Sequence, residues 1–194
     1  MNPQSLRVIS ASKFLLATVW ITALSAISSA QSYQAQLDKS IDPSKITTLY
    51  DSFSVTVSIA LVFAWIVTSR WLGDAVKTVQ DRNPGQVKLH RAWARWGWIA
   101  PVVSLWFPRQ IIANIIGPQT DRKDGIAINT WWAAFIGFSL LSNAQFVLSM
   151  NAPANYNPIK PEFDIAGACL LTAAYFIWIQ IVQTVDQMSK SATT

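Results

Sequence analysis

The chain has 194 residues, a formal net charge of +5, one cysteine and one histidine. One cysteine excludes an intrachain disulfide and a thiolate metal cluster, and one histidine excludes haem held by two histidines of the same chain. The positive charge does not indicate nucleic acid, because the Lys and Arg residues flank apolar segments and alternate with Trp; anionic lipid headgroups are the expected counter-charge.

The first apolar segment predicts a membrane span near residues 10–32. Phe14 to Leu37 carries no charge, and a helix needs about 20 such residues to cross the hydrocarbon core of a bilayer. The segment resembles a secretory signal with a cleavage-like Ser28-Ser29-Ala30 end, but we expect a retained helix. A small-residue ridge suited to helix packing recurs every fourth residue, at Thr18, Thr22, Ala26 and Ala30.

A polar loop at residues 31–51 precedes the second predicted span, near residues 52–70. This span is expected to continue beyond the membrane as an amphipathic helix to about Arg82, ended by Asn83-Pro84-Gly85. Opposite charges at i,i+4 spacing predict two ion pairs on that helix, namely Arg70 with Asp74 and Lys77 with Asp81.

The next segment is rich in Trp and Pro and predicts a candidate surface for a lipid, a ligand or a partner. Indole rings favour the headgroup level, neighbouring Arg side chains reach phosphates, and proline leaves helical carbonyls unpaired. The general interpretation is an interfacial anchor; the more specific one is a groove for a lipid, quinone or pigment. The candidate residues are Trp93, Arg95, Trp96, Trp98, Pro101, Trp106, Pro108 and Arg109, and the basic residues expected to contact anionic lipid are Arg82, Lys88 and Arg91.

The third and fourth spans are predicted near residues 128–149 and 165–186. Asn143 lies in the third and Gln180 near the end of the fourth, and both are expected to hydrogen-bond between helices. The alternative is that such residues line a polar path for a solute. No Asp, Glu or Lys lies deep in a predicted span, which argues against a proton relay or an ion-coupled transporter.

Charge asymmetry predicts the orientation, because cytoplasmic loops carry the excess of Lys and Arg. With four spans, 12 of the 15 basic residues fall on one side, which places both termini in the cytoplasm. A fifth span across Trp96 to Pro108 is the alternative. With five spans, nine basic residues would lie on the cytoplasmic side and five outside, with Arg109 in the bilayer. We therefore prefer an interfacial or re-entrant segment within a cytoplasmic region at residues 70–117.

Several motifs resemble a known family. Arg70-Trp71-Leu72, Trp98 to Val103, Leu105 to Pro108 and Trp131-Trp132 are similar to a family of actinobacterial membrane proteins catalogued as domain-of-unknown-function family four-three-two-eight. Thr78 and Ser104 stand where this family usually has Asn, and Arg109 where it usually has Tyr. The resemblance implies a bacterial plasma membrane protein and no particular activity.

These observations predict a single all-α membrane domain over residues 1–194, a bundle of four transmembrane helices. Common catalytic motifs are absent from the sequence, so we expect a protein that is not an enzyme and has no cofactor. The preferred function is an accessory, assembly or scaffold subunit that binds other membrane subunits or itself. The alternatives are a protein that binds or carries a lipid, quinone or pigment, and a sensor of anionic lipid. Membrane lipids are expected partners in each case.

Overall fold

The computed structural model describes residues 1–39, 41–98, 103–117, 122–151, 153 and 156–190. Within these residues all regular secondary structure is helical, which confirms the all-α prediction. Two 3-10 turns, Pro43–Lys45 and Val103–Leu105, accompany six α-helices. The helices are α1 (Pro3–Leu37), α2 (Leu49–Arg82), α3 (Ala92–Trp96), α4 (Phe107–Ile116), α5 (Arg122–Met150) and α6 (Pro161–Lys190).

Four of the helices are long and apolar enough to cross a membrane. They are α1, α2, α5 and α6, with lengths of 29 to 35 residues. The helices α3 and α4 have only 5 and 10 residues, and about 20 are needed to span the hydrocarbon core. The prediction of four spans is therefore confirmed, and the described part of the Trp- and Pro-rich segment adds no fifth one.

Local sequence signals explain where the long helices begin and end. Asn2 caps α1, since its side-chain oxygen accepts the backbone N–H of Gln4 at 3.1 Å, and Pro3 occupies the first helical turn. At the start of α2, the Asp51 carboxylate accepts the backbone N–H of Thr48 at 2.7 Å. The helix ends at Arg82, immediately before the predicted Asn83-Pro84-Gly85 signal.

The four long helices pack in the order α2, α1, α6, α5. Extensive contacts join α1 to α2, α1 to α6 and α5 to α6. Among the described residues, α2 and α5 do not pack along one another. A cleft therefore separates these two helices, with α1 and α6 behind it.

The short helices cover one end of this bundle. The apolar side of α4 buries Ile111, Ile112, Ile115 and Ile116, which share a core cluster with Trp71 and Leu72 of α2 and Val182 of α6. On the loop after α2, Gln86 donates its side-chain amide to the carbonyls of Asn114 and Ile115 at 3.0 and 3.2 Å. These bonds fix α4 against the end of α2.

The continuous course of α2 through Arg82 agrees with the predicted extension, but the ion pairing on it differs. Asp74 pairs with Arg91, at 2.6 Å, and not with Arg70. No ion pair joins Lys77 to Asp81 in the described structure. The loop after α2 folds back toward the helix and brings a guanidinium to Asp74, so a contact distant in sequence replaces the predicted local one.

Candidate functional site: a cleft between α2 and α5

The cleft between α2 and α5 contains a cavity of about 590 Å³ at the end nearer the short helices. Its walls come from all four long helices and from the segment between α3 and α4. Most lining residues are apolar, and five rings in mutual contact form an aromatic wall, namely Trp98, Trp131, Trp132, Phe135 and Trp178. Trp65 and Tyr175 also line the cavity.

Trp98 connects the short-helix segment to the aromatic wall. Its ring lies edge-on to Trp131, Trp132 and Phe135, with centroid distances of 6.4, 6.2 and 6.1 Å. Behind this layer, Trp131 stacks on Trp178 of α6 at 5.0 Å. Edge-to-face and offset-stacked arrangements are the favoured geometries of aromatic pairs, so the cluster stabilises the wall as a unit.

Indole hydrogen bonds fix the positions of three of these rings. Trp132 donates to the carbonyl of Leu105 at 2.7 Å, and Trp98 donates to the carbonyl of Ala94 at 3.1 Å. Trp65 of α2 donates to the carbonyl of Arg95 at 3.1 Å. Because these N–H groups bind backbone carbonyls, the three rings are held in place and contribute mainly apolar surface to the cavity.

Eight residues were predicted to form a lipid, ligand or partner surface. Among those that the structure describes, only Trp98 lines this cavity. Pro101 lies outside the described residues. Trp93, Trp96 and Trp106 are exposed on the outside of the short-helix segment, and Pro108 is buried in the first turn of α4. The groove predicted within this segment stays a prediction. The cavity lies between long helices, and the segment contributes Trp98, Ser104 and Leu105 to its lining.

The two arginines of this predicted surface have different roles. Arg109 of α4 donates its Nε to the side-chain oxygen of Asn129 on α5 at 2.6 Å. Arg95 is exposed, and its carbonyl accepts the indole N–H of Trp65. Arg109 therefore connects two helices, while the backbone of Arg95 helps to position the cavity wall.

Two of the residues predicted to contact anionic lipid have protein partners. Arg91 binds Asp74, and Arg82 donates to the carbonyl of Met188 at 3.3 Å. Lys88 is exposed. The structure therefore brings Arg91 and Arg82 into contacts that hold the loop and the end of α6 against α2.

The predicted helix-packing residues divide between buried and exposed positions. Thr18, Thr22 and Ala26 are buried on α1, and Ala30 is half-buried. Asn143 and Gln180 are exposed, and the Asn143 amide donates to the carbonyl of Ser139 within its own helix at 2.8 Å. This differs from the interhelical bond expected for Asn143. Because α5 and α6 are antiparallel, these two amides also lie near opposite ends of the bundle.

A second, polar part of the cleft was not predicted from the sequence. Tyr50 of α2 donates its hydroxyl to Asp164 of α6 at 3.2 Å, and Gln145 of α5 donates its amide to Tyr50 at 2.9 Å and to Asp164 at 3.1 Å. The three residues come from three helices, so no spacing in the sequence marks them. For Trp131, Trp132 and Phe135 a signal did exist, because consecutive and i+4 aromatic residues share one face of a helix.

In the described part of the chain, no group of three His, Cys, Asp or Glu side chains is placed to hold a metal ion. The nearest polar constellation is the Tyr50, Gln145 and Asp164 set, which supplies a single carboxylate. The arrangement is better suited to hydrogen bonding than to coordination.

Comparison with known proteins agrees with the resemblance seen in the sequence. A family model described as a domain of unknown function (DUF4328) matches residues 46–187. No curated protein and no solved structure matches the chain. The matched region includes α2 to α5 and most of α6, and hence the whole Trp-lined wall of α5. Since it covers most of the chain, the protein is a member of the DUF4328 family.

Proposed function

We propose that the protein is a multi-pass membrane protein without catalytic activity that holds one elongated apolar or amphipathic membrane molecule between α2 and α5. The observation that carries this proposal is the apolar cavity of about 590 Å³ with its aromatic wall. Pockets for small molecules are typically concave, mostly apolar and of a few hundred Å³, as this one is. A lipid chain, the tail of a quinone or a pigment matches this description.

The order of helix packing supports access from the membrane. Because α2 and α5 do not pack along one another, an apolar molecule that diffuses in the bilayer can enter sideways between them. A ligand from the aqueous phase at the short-helix end would instead have to cross the layer formed by α3 and α4. We infer a bacterial plasma membrane location with both termini in the cytoplasm, on the basis of the charge asymmetry.

Trp fluorescence provides the test, because the cavity wall contains Trp65, Trp98, Trp131, Trp132 and Trp178. The protein is reconstituted in zwitterionic bilayers and titrated with a long-chain alkanol brominated near mid-chain, since bromine quenches indole at short range. We expect a saturable component of quenching above the linear background that brominated bulk lipid produces.

Two variants on α5 make the test specific. Ser139→Phe places a large ring at a half-buried position that lines the cavity, and Ala133→Phe places the same ring at an exposed position that does not. The first should abolish saturable quenching and the second should retain it. Linear quenching in all three proteins would contradict the proposal.

The accessory-subunit prediction is the second candidate function. Helix α5 supports it, because only 11% of its most apolar window is buried in the monomer, against 39% for α1 and α6. Native mass spectrometry after mild extraction separates the two: a stoichiometric protein partner supports the accessory role, whereas one enriched small molecule supports ligand binding. The sensor of anionic lipid receives less support, since Arg91 and Arg82 have protein partners.

A further inference from the structure

The cleft has a second chamber of about 610 Å³. It lies on the side of Leu61 that is farther from the aromatic wall. Leu61 lines both chambers, so the two are neighbours in the cleft. Tyr50 lines the second chamber and Trp65 the first, and 15 residues of helix separate them by about 22 Å along α2. A molecule that occupied both chambers would be elongated, with one end beside Tyr50 and the other beside the Trp cluster.

The polar groups at the Tyr50 end have already used their hydrogens. The hydroxyl of Tyr50 donates to Asp164, and the side-chain amide of Gln145 donates to both other residues. A carboxylate only accepts, a carboxamide has two N–H donors and a phenol has one O–H. What the three residues still present are acceptor lone pairs, on the carboxylate of Asp164, the amide oxygen of Gln145 and the oxygen of Tyr50.

The hydroxyl groups around the same chamber show the same polarity. On α2, Ser54 and Ser58 donate to the carbonyls of Asp51 and Ser54, at 2.8 and 3.1 Å. The remaining hydroxyls also donate to carbonyls of their own helices, within 3.0 Å, and belong to Thr22, Ser142 and Ser149. Each of these oxygens therefore faces a ligand as an acceptor. A ligand group that only accepts, such as a quinone carbonyl or a phosphate, finds no donor among these side chains.

Charge favours a cation at this end. Asp51 and Asp164 line the chamber, and none of its described lining residues is Lys, Arg or His. Lys160, close in sequence to Asp164, has its ammonium over the ring of Tyr156 at 4.4 Å. Hydrogen bonds between an ammonium and a carboxylate are shorter and stronger than those between neutral groups.

We propose that the polar chamber binds a primary ammonium group at the end of an apolar chain, with Asp164, Gln145 and the serine hydroxyls as acceptors. This inference rests on the proposed function and specifies its ligand class as an amphipathic amine. A quinone and an anionic lipid headgroup are disfavoured because both need donors. The apolar body of the ligand lies toward the Trp-lined chamber.

The experiment compares three probes of one chain length, brominated at the same position and different only in the headgroup: an alkylamine, an alkanol and a fatty acid. Each is titrated into the protein in zwitterionic bilayers, and Trp quenching is measured against the Ser139→Phe background. We expect the amine to bind about tenfold more tightly than the alkanol, and the fatty acid to bind more weakly than both.

Variants in the polar chamber then assign the preference to residues. Asp164→Asn keeps the shape of the side chain but removes its charge, and it should reduce the preference for the amine over the alkanol severalfold, while Asp51 still lines the chamber. Ser58→Ala removes one acceptor from the chamber and should weaken the amine severalfold, whereas Ser28→Ala, an exposed serine of α1 with the same kind of backbone bond, should not. The serine pair gives an answer even if Asp164→Asn does not fold.

The outcomes separate this inference from the proposed function. Saturable quenching with equal affinity for all three headgroups, or a preference for the amine that is undiminished in both Asp164→Asn and Ser58→Ala, would overturn the inference and leave ligand binding intact. An absence of saturable quenching with every probe would overturn both.

Discussion

Arg91 and Asp74 form an ion pair at 2.6 Å between the loop before α3 and the middle of the extended end of α2. Gln4 of α1 donates to the same carboxylate at 3.2 Å. Asp74 therefore connects three parts of the chain: the start of α1, the end of α2 and the segment that carries Trp98. The Arg91–Asp74 pair therefore helps to hold the short-helix segment in its position over the cleft.

Replacement of Arg91 by Ala should lower the free energy of unfolding by up to about 1 kcal/mol, a small value because both side chains are partly exposed, at 38% and 46%. Arg70→Ala is the matched control. Removal of this exposed arginine, on the same helix as Asp74, should have less effect. Thermal unfolding in mild detergent measures both, and an equal or larger loss for Arg70→Ala would indicate that the local i,i+4 pair forms instead.

A buried chain of hydrogen bonds lies at the same end of the bundle, and its removal should lower the free energy of unfolding by more than the loss of the Arg91–Asp74 pair. Trp71 donates its indole N–H to the hydroxyl of Ser5 at 3.2 Å, and Ser5 donates to Asp186 at 3.2 Å. Asp186 is only 6% exposed. Ser5→Ala removes both bonds and leaves Trp71 without this acceptor, so we expect a loss of about 1–3 kcal/mol.

Ser10→Ala is the control for this prediction, because Ser10 lies on the same helix and is exposed. It should leave the unfolding temperature nearly unchanged. Circular dichroism melts of both variants and the parent protein in one detergent provide the measurement. Equal melting temperatures for Ser5→Ala and Ser10→Ala would contradict a buried chain at this position.

The sequence predicted the long helices well because each depends on local properties. Charge-free runs set the spans, and Asn83-Pro84-Gly85 set the end of α2. The same local rules failed for Asp74, whose partner comes from a loop 17 residues further along. The cleft was missed for a related reason. Its existence depends on which helices are neighbours, and the separation of α2 from α5 follows from packing over the whole bundle. Of the described residues that the sequence analysis singled out as site or packing residues, Trp98 and Asn143 line the cavity.

Close packing between α5 and α6 gives a third prediction. A Cβ added at Gly137 would lie 3.1 Å from Cδ1 of Leu170, whereas one added at Gly125, on the same helix, would meet nothing within 4 Å. Gly137→Val should therefore lower stability by about 1–3 kcal/mol through overpacking, and Gly125→Val should be close to neutral. Melting temperatures of the two variants decide the matter, and the reverse order would show that α5 and α6 pack in a different register.

The last prediction concerns the bond that ties the turn after α3 to the cavity wall. Trp132 of α5 donates its indole N–H to the carbonyl of Leu105 at 2.7 Å. Trp132→Phe keeps an aromatic ring but removes the donor, so the turn should loosen at a cost of about 0.5–1.5 kcal/mol. Trp96→Phe, at a position where the ring is 58% exposed, serves as the control.

Hydrogen–deuterium exchange of the peptide that covers residues 103–107 should be faster in Trp132→Phe only. Because Leu105 and Trp132 both line the cavity, Trp132→Phe should also weaken the saturable Trp quenching. If both the exchange rate and the quenching were unchanged, this hydrogen bond would not position the cavity wall.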